Sequence, residues 1–221
     1  MKIKLPDSIS VREAIRLQKK LAPQVSEESE LPAKIISLVG CDATYITGRT
    51  FASAVMVDYE NLKLSKTSGV EESTRFPYIP GLLAFREAPS ILQAIRSLRP
   101  KSYVCMVDAH GVAHPRRFGL ACYVGLALGK PTIGVAKSLL HGQVMGDRVV
   151  DENGSPIAAI LKLPERRGKT IYVSVGHKIS LKDAVRIVKY CLTPQGPLPI
   201  RLAHVEVTKR KCHLKKSNPA Y

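Results

Sequence analysis

The chain has 221 residues, and its 34 Lys plus Arg against 18 Asp plus Glu give a formal net charge of +16. An excess of that size favours a polyanionic partner, nucleic acid first and a membrane surface only second, through phosphate contacts and counterion release. No stretch reaches the roughly 18 apolar residues a spanning helix needs, and the N-terminal MKIKLPDSISVRE lacks the apolar core of a signal peptide, so a cytoplasmic protein without a membrane partner is expected.

Chains of up to about 250 residues commonly stay undivided, and no stretch has the composition of a flexible linker, so a single domain over residues 1–221 is expected. The five cysteines, Cys41, Cys105, Cys122, Cys191 and Cys212, are odd in number and form no CxxC pair. A reduced compartment and core packing account for them. His110 and His114 have helix-like spacing, but Gly111 and Pro115 break a helix there, which argues against a zinc site.

Ser10 and Glu13 form a capping box ahead of Val11, Ala14, Ile15 and Leu17, predicting a first helix that runs to about Leu21 and serves packing. The acidic, proline-flanked stretch from Pro23 to Pro32 reads as a connector, so residues 1–33 form an N-terminal helix and connector. The run IISLVGCD (Ile35 to Asp42) is the first strand. Thr50 to Tyr59 and Leu62 to Ser68 follow as strands, with Glu60 and Asn61 at the turn, completing an antiparallel meander. Gly81 to Leu98 is helical in composition, with Pro89 starting a new turn or kinking the helix just past Glu87. SYVCMVD carries the next strand, Tyr103 to Asp108. A helix from Pro115 to about Leu128, closed by Gly129, leads to a short strand from Pro131 to Val135 and then to Lys137. Strands at Ile157 to Leu163 and Thr170 to Val175 precede an amphipathic helix bearing Leu181, Val185, Val188 and Leu192 on one face. Residues 208–221 are expected as a basic, mobile tail. A three-stranded meander followed by helix-linked strands is the order of the ribonuclease-H-like fold: α/β, with a mixed central sheet and flanking helices.

Two of these apolar runs end on an acid, Asp42 and Asp108, and Glu87 lies between them in sequence. Strands that deliver carboxylates to a sheet edge are how a protein assembles a site for Mg²⁺, which prefers oxygen ligands and keeps open positions for substrate phosphate.

Four strings carry a more specific signal: GCDATY (Gly40 to Tyr45), PYIPGLLAFRE (Pro77 to Glu87), VDAHGVAHPRRFGLA (Val107 to Ala121) and GVAKS (Gly134 to Ser138). In this order and spacing they closely resemble the endonuclease V family, which nicks nucleic acid near deaminated adenine. YVSVGHKIS (Tyr172 to Ser180) and PLPIRLAH (Pro197 to His204) resemble that family's later segments, so the similarity spans roughly Ile35 to Val207.

The resemblance implies roles position by position. Asp42 and Asp108 match strand-end metal ligands, and Glu87 matches a helix-borne third acid. Lys137 matches a catalytic lysine and His114 an active-site histidine, which contacts phosphate or holds the neighbouring backbone. His204 matches a position near the metal. The implied cofactor is Mg²⁺, with Mn²⁺ as a substitute, and the number of ions is left open. Pro77, Tyr78, Ile79 and Pro80 match a wedge that separates strands at the damaged base, the tyrosine ring replacing a lost stacking partner. Hypoxanthine differs from guanine only by lacking the 2-amino group, so a selective pocket must donate to the oxygen at position 6 and leave no room for the amine. Main-chain amides among small residues meet both demands. The family places such a pocket near Gly81, Leu83, Gly119, Leu120, Ala136 and Leu140, positions that also suit core packing or tight turns. Arg116 and Arg117, at the predicted helix start, are candidate phosphate contacts, as are Lys209, Arg210, Lys211, Lys215 and Lys216. Where many members carry glycine after the second aspartate, this chain has Ala109.

The implied reaction is cleavage of the second phosphodiester 3′ to inosine, leaving 3′-hydroxyl and 5′-phosphate ends, by a monomer acting in DNA repair. The expected partner is DNA containing deoxyinosine, with inosine-containing RNA also open, because discrimination rests on single 2′-hydroxyl contacts. The rival readings are another ribonuclease-H-like nuclease, such as a resolvase or hybrid-duplex hydrolase, and a non-catalytic nucleic-acid-binding module.

Overall fold

The computed structural model describes residues 9–165 and 168–217. Ser10 caps the first helix, α1 (Val11–Leu21), in the reciprocal arrangement its sequence implies: the Ser10 hydroxyl accepts from the Glu13 N–H, and Glu13 Oε2 accepts from the Ser10 N–H at 2.9 Å.

The strands are β1 (Ser37–Ile46), β2 (Arg49–Asp58), β3 (Leu64–Ser73), β4 (Tyr103–Val107), β5 (Thr132–Ala136), β6 (Gln143–Met145), β7 (Arg148–Val150), β8 (Pro156–Lys162) and β9 (Thr170–His177). They form one sheet in the order β3-β2-β1-β4-β5-β9-β8-β7-β6. β1 to β3 are the antiparallel meander, β1, β4 and β5 run parallel, and the remaining strands pair antiparallel. This is the expected ribonuclease-H-like arrangement. The helices α2 (Leu83–Leu98), α3 (Leu120–Leu128), α4 (Leu181–Tyr190) and α5 (Leu198–Ser217) cover the sheet. Four of the five cysteines are buried among these elements and all five are free thiols.

Several boundaries differ from the sequence expectation. β1 does not end at Asp42 but continues to Ile46, because β2 pairs with it along its full length. Pro89 lies inside α2 without ending it. The third helix starts at Leu120 rather than Pro115, because the Gly119 N–H, which such a helix would direct at the Pro115 carbonyl, donates instead to the Gly111 carbonyl at 3.0 Å. The loop before it is pinned to β9: the Gly111 N–H donates to Ser174 Oγ at 2.9 Å and the Val112 N–H to the Val175 carbonyl at 2.8 Å. A Cβ at Gly111 would lie 1.8 Å from the Val175 oxygen, so glycine permits that approach. The short β6–β7 hairpin carried too few residues to register as a pattern. Residues 208–217, expected as a tail, continue α5.

α5 matters most to the site. In β1, side chains alternate between faces; Tyr45 lies under the Arg86 guanidinium of α2, 3.9 Å from the ring centre, whereas Gly40 faces α5. A Cβ at Gly40 would stand 2.2 Å from the Pro199 backbone. The missing side chain lets α5 rest on the sheet, which brings His204 over Asp42. Gly40→Ala should therefore lower unfolding stability by about 3 kcal/mol, the upper range for overpacking, because the clash is with backbone rather than a movable side chain. Denaturant midpoints measure this, and a loss under about 0.5 kcal/mol would contradict the fit.

Candidate active site

The parallel strands place the acids. β1 and β4 pair up to Cys41 opposite Val107, and the Asp108 N–H donates to the Cys41 carbonyl at 3.1 Å. Asp42 and Asp108 are the next residues on each chain and stand side by side. β5 adds Lys137 just beyond its end, and the Lys137 ammonium donates to Asp108 Oδ2 at 2.6 Å. Ligands bind beyond the carboxyl ends of parallel strands in sheets of this kind, and these three side chains occupy that edge.

From α5, His204 Nδ1 lies 2.8 Å from Asp42 Oδ2, while the other Asp42 oxygen accepts from the Ala43 N–H at 2.8 Å. Asp42, Asp108 and His204 offer ligand atoms that all lie within 4.8 Å of one another, a group that could hold a metal ion. The electrostatics agree with that donor set. Burial, then the charge of Asp108, raises the Asp42 carboxyl above its ordinary range, against the pull of His204 and the Ala43 amide. Two part-buried acids whose ligand atoms lie within 4.8 Å of each other repel, and a divalent cation between them would offset that repulsion.

Glu87 lies outside this group of three. It stands on α2 close enough to feel both aspartates. Its carboxyl is pushed up to about 8, first by burial and next by the charge of Asp42, with Arg86 opposing and Asp108 adding.

His114 holds backbone rather than facing the acids. Its Nδ1 accepts from the Arg116 N–H at 3.1 Å, which leaves the proton on Nε2, and Nε2 donates to the Gly81 carbonyl at 2.9 Å. Burial lowers its pKa to about 4, so the ring is neutral at physiological pH. The Arg116 guanidinium also donates to the Gly81 carbonyl, at 2.7 Å. Arg117 pairs with Glu27 and Asp151, at 2.5 and 2.9 Å. Neither arginine sits at a helix start, and both have protein partners. Further on, Lys209 pairs with Glu206 at 2.8 Å and the Arg210 guanidinium lies against Gly69. The side chains of Lys215 and Lys216 lie outside the described residues.

One cavity of about 290 Å³ lies beside Asp108 and Lys137. Gly81, Leu83, Gly119, Leu120, Ala136 and Leu140 all line it, together with Tyr78, Ile79, Pro80, Asp108 and Lys137. Tyr78 is 70% exposed, so it is no core tyrosine. Its neighbours anchor it: Phe76 and Ile79 pack with Leu82 and Phe85 in a small apolar cluster. Ala109 lies outside the set of residues with positive φ, which explains why alanine serves where glycine is common. Sequence reading missed Gln18, which also lines the cavity. Its signal was a polar residue on the face of α1 that buries Ala14 and Leu21.

Parallel strand ends that bring paired carboxylates, a lysine and a glycine-walled cavity to one edge define a nuclease centre on a ribonuclease-H-like scaffold. The sequence profile of Endonuclease V matches residues 19–205, and the chain is 40% identical over 212 residues to endonuclease V of Thermofilum pendens, covering 93% of this chain and 90% of that one. This chain belongs to the endonuclease V family and is an endonuclease. It is 38% identical over 209 residues to the Desulfurococcus amylolyticus relative, covering 90% and 94% of the two chains. Human endonuclease V superposes with a TM-score of 0.83 at 27% identity, covering 94% of this chain and 99% of that one. Ciona intestinalis endonuclease V, solved with a 24mer DNA containing an inosine followed by a ribo-adenosine, gives 0.83 at 26%, covering 94% and 98%. Among the described residues no helix is long and apolar enough to cross a membrane.

Proposed function

We propose that this endonuclease is Mg²⁺-dependent, extrudes a hypoxanthine base from a nucleic-acid strand and hydrolyses the second phosphodiester 3′ to it. One observation carries the reading: a single cavity is lined at once by the exposed Tyr78, by Gly81 and Gly119, and by Asp108 and Lys137. Base recognition and strand scission thus share a wall. At about 290 Å³ the cavity is at the small end of ligand sites, suited to one planar base.

The pocket's donors are main chain. α2 opens on the cavity with Leu82 as a cap residue that offers no side-chain hydrogen bond, so first-turn N–H groups at Leu83 and Ala84, both lining residues, are free of intrahelical partners and suit an oxygen at position 6. On the opposite wall, a Cβ at Gly119 would meet the His110 carbonyl at 2.3 Å, so the loop is already at its closest packing there. A wall that cannot retreat disfavours an extra amine.

Asp42, Asp108 and His204 would hold the metal. A bound Mg²⁺ lowers the pKa of a coordinated water and polarises the phosphate oxygens. Lys137 balances negative charge developing on phosphate beside Asp108, and Glu87 adds a carboxyl whose protonation the ion's charge governs. The inosine-bearing DNA held by the Ciona relative supports DNA as a substrate, and inosine in RNA is a parallel candidate.

A duplex carrying one deoxyinosine should be nicked in Mg²⁺ and left intact in chelator, and no Mg²⁺-dependent nick in DNA or in an inosine-bearing RNA strand would overturn the proposal. Tyr78→Ala should raise KM for that duplex about five- to 150-fold, from the 1–3 kcal/mol of a lost base stack. Unchanged KM would favour a nuclease with no use for the wedge.

A further inference from the structure

The Gly81 carbonyl, at the mouth of the base cavity, accepts hydrogen bonds from three side chains drawn from two separate parts of the chain. Gln18 Nε2 lies at 2.9 Å, His114 Nε2 at 2.9 Å and Arg116 Nη2 at 2.7 Å. Gln18 is the centre of this network. Its amide also donates to the Phe118 carbonyl at 3.0 Å, and its Oε1 accepts from Arg116 Nε at 2.6 Å. Two carbonyls facing Nε2 and a guanidinium facing Oε1 settle which way the amide points. Gln18 is 1% exposed and His114 2% exposed; the Gln18 bond to Phe118 is buried and the bonds to Gly81 are part-buried, so loss of the Gln18 amide leaves the Phe118 acceptor buried and unsatisfied.

The two carbonyls that Gln18 holds belong to the two separate segments that supply Gly81 and Gly119 to the cavity lining. Gly81 closes the PYIPG turn ahead of α2, and Phe118 directly precedes Gly119 and Leu120. One amide, bonded to both, sets their separation. Gly81 has φ +77°, and a Cβ there would meet Arg116 Nη2 at 2.8 Å, so the turn accommodates the clamp only as glycine. A pocket that separates hypoxanthine from guanine by one amino group depends on a wall spacing held to about 0.5 Å, the tolerance of a preorganised site.

We propose that Gln18 of the N-terminal helix, with Arg116 and His114, is a positioning clamp that fixes the width of the base pocket and thereby the discrimination of hypoxanthine from guanine. The inference rests on the functional reading above and extends it to a helix that the sequence assigned only to packing; Gln18 lies one residue before the stretch matched by the family profile. The clamp touches neither the metal-holding group nor Lys137, so it acts through Gly81 and Phe118.

Cleavage kinetics on inosine-bearing and guanosine-bearing strands of the same sequence provide the test. Gln18→Leu and Arg116→Met should each raise KM for the inosine strand at least tenfold, change kcat less than threefold, and reduce the inosine-to-guanosine ratio of kcat/KM. Leu21→Ala, in the same helix and buried, should lower Tm while leaving KM and that ratio unmoved. If Gln18→Leu fails to fold, Arg116→Met decides by itself. Wild-type cleavage of inosine with KM and the ratio unchanged in the foldable variants overturns the clamp and leaves the function standing. A wild type that cuts no inosine strand overturns both.

Discussion

Asp108→Asn lowers kcat for strand cleavage by about a thousandfold or more while leaving the fold intact. The estimate comes from charge. A bound cation contributes several kcal/mol of transition-state stabilisation, each 1.36 kcal/mol is tenfold in rate, and removing one of two adjacent carboxylates takes away much of the field that retains the ion. The fold is expected to survive because Asp108 lies past the last paired residue of β4, and its loss relieves the like charge that helps raise Asp42. Lys137 loses its partner but is well exposed and can be solvated. Single-turnover cleavage and thermal melts with and without divalent ion provide the check: Tm of the metal-free protein should stay level or rise, and the shift on adding the ion should vanish. Cleavage within tenfold of wild type would refute the assignment. Asp42→Asn should behave the same way, with His204 losing its partner as well.

The second large effect is a pH dependence of the metal-free protein. The Glu87 carboxyl, ordinarily near 4.5, is pushed up to about 8 in the folded state. Between those values the native protein holds a proton that the unfolded chain has released, so this group makes stability fall as pH rises through the window. At about 1.4 kcal/mol per unit the limit is roughly 5 kcal/mol, which the partial exposure of the carboxyl reduces to a few. Asp42, also raised, works in the same direction. His114 works in the opposite one: its pKa falls from 6.5 to about 4, so its contribution to stability rises with pH across that interval. The carboxylate effect is therefore clearest above pH 6.5. In chelator, the denaturation midpoint should decline from pH 6.5 to about 8 and then level off. Glu87→Gln should flatten that limb and raise stability at its upper end. Mg²⁺ should flatten it in the wild type, since a cation beside the carboxylates favours their charged forms. An unchanged slope in Glu87→Gln would remove Glu87 as its source.

What sequence and structure each contributed divides along the range of the interactions. The Ser10 and Glu13 cap, the meander, and the aspartates that follow apolar runs were legible because each depends on neighbours a few residues away. The lining of the base cavity was legible through the family strings, since the matched residues keep their order along the chain. Where local signals competed with distant ones, reading failed. Pro115 looked like a helix start, but the Gly119 N–H, which that helix would need for the Pro115 carbonyl, donates to the Gly111 carbonyl instead. The basic stretch after Thr208 looked like a tail, yet it continues α5, whose start is seated on the sheet at Gly40.

Strand period, capping and turn chemistry act over short spans, so the sequence alone carried the first helix, the meander, most of the helix-linked strands after it, the acids that follow apolar runs and the family strings. Packing set the side-chain partners around the site: Glu87 lies outside the group of Asp42, Asp108 and His204, Arg116 and Arg117 bond to protein partners, and Gln18 bonds to both Gly81 and Phe118. Those outcomes depend on contacts such as Gln18 to Gly81, 63 residues apart, and Arg116 to Gly81, 35 apart. Spacing along a chain does not encode the angle at which two elements meet, and hydrogen bonds form or fail over tenths of an ångström.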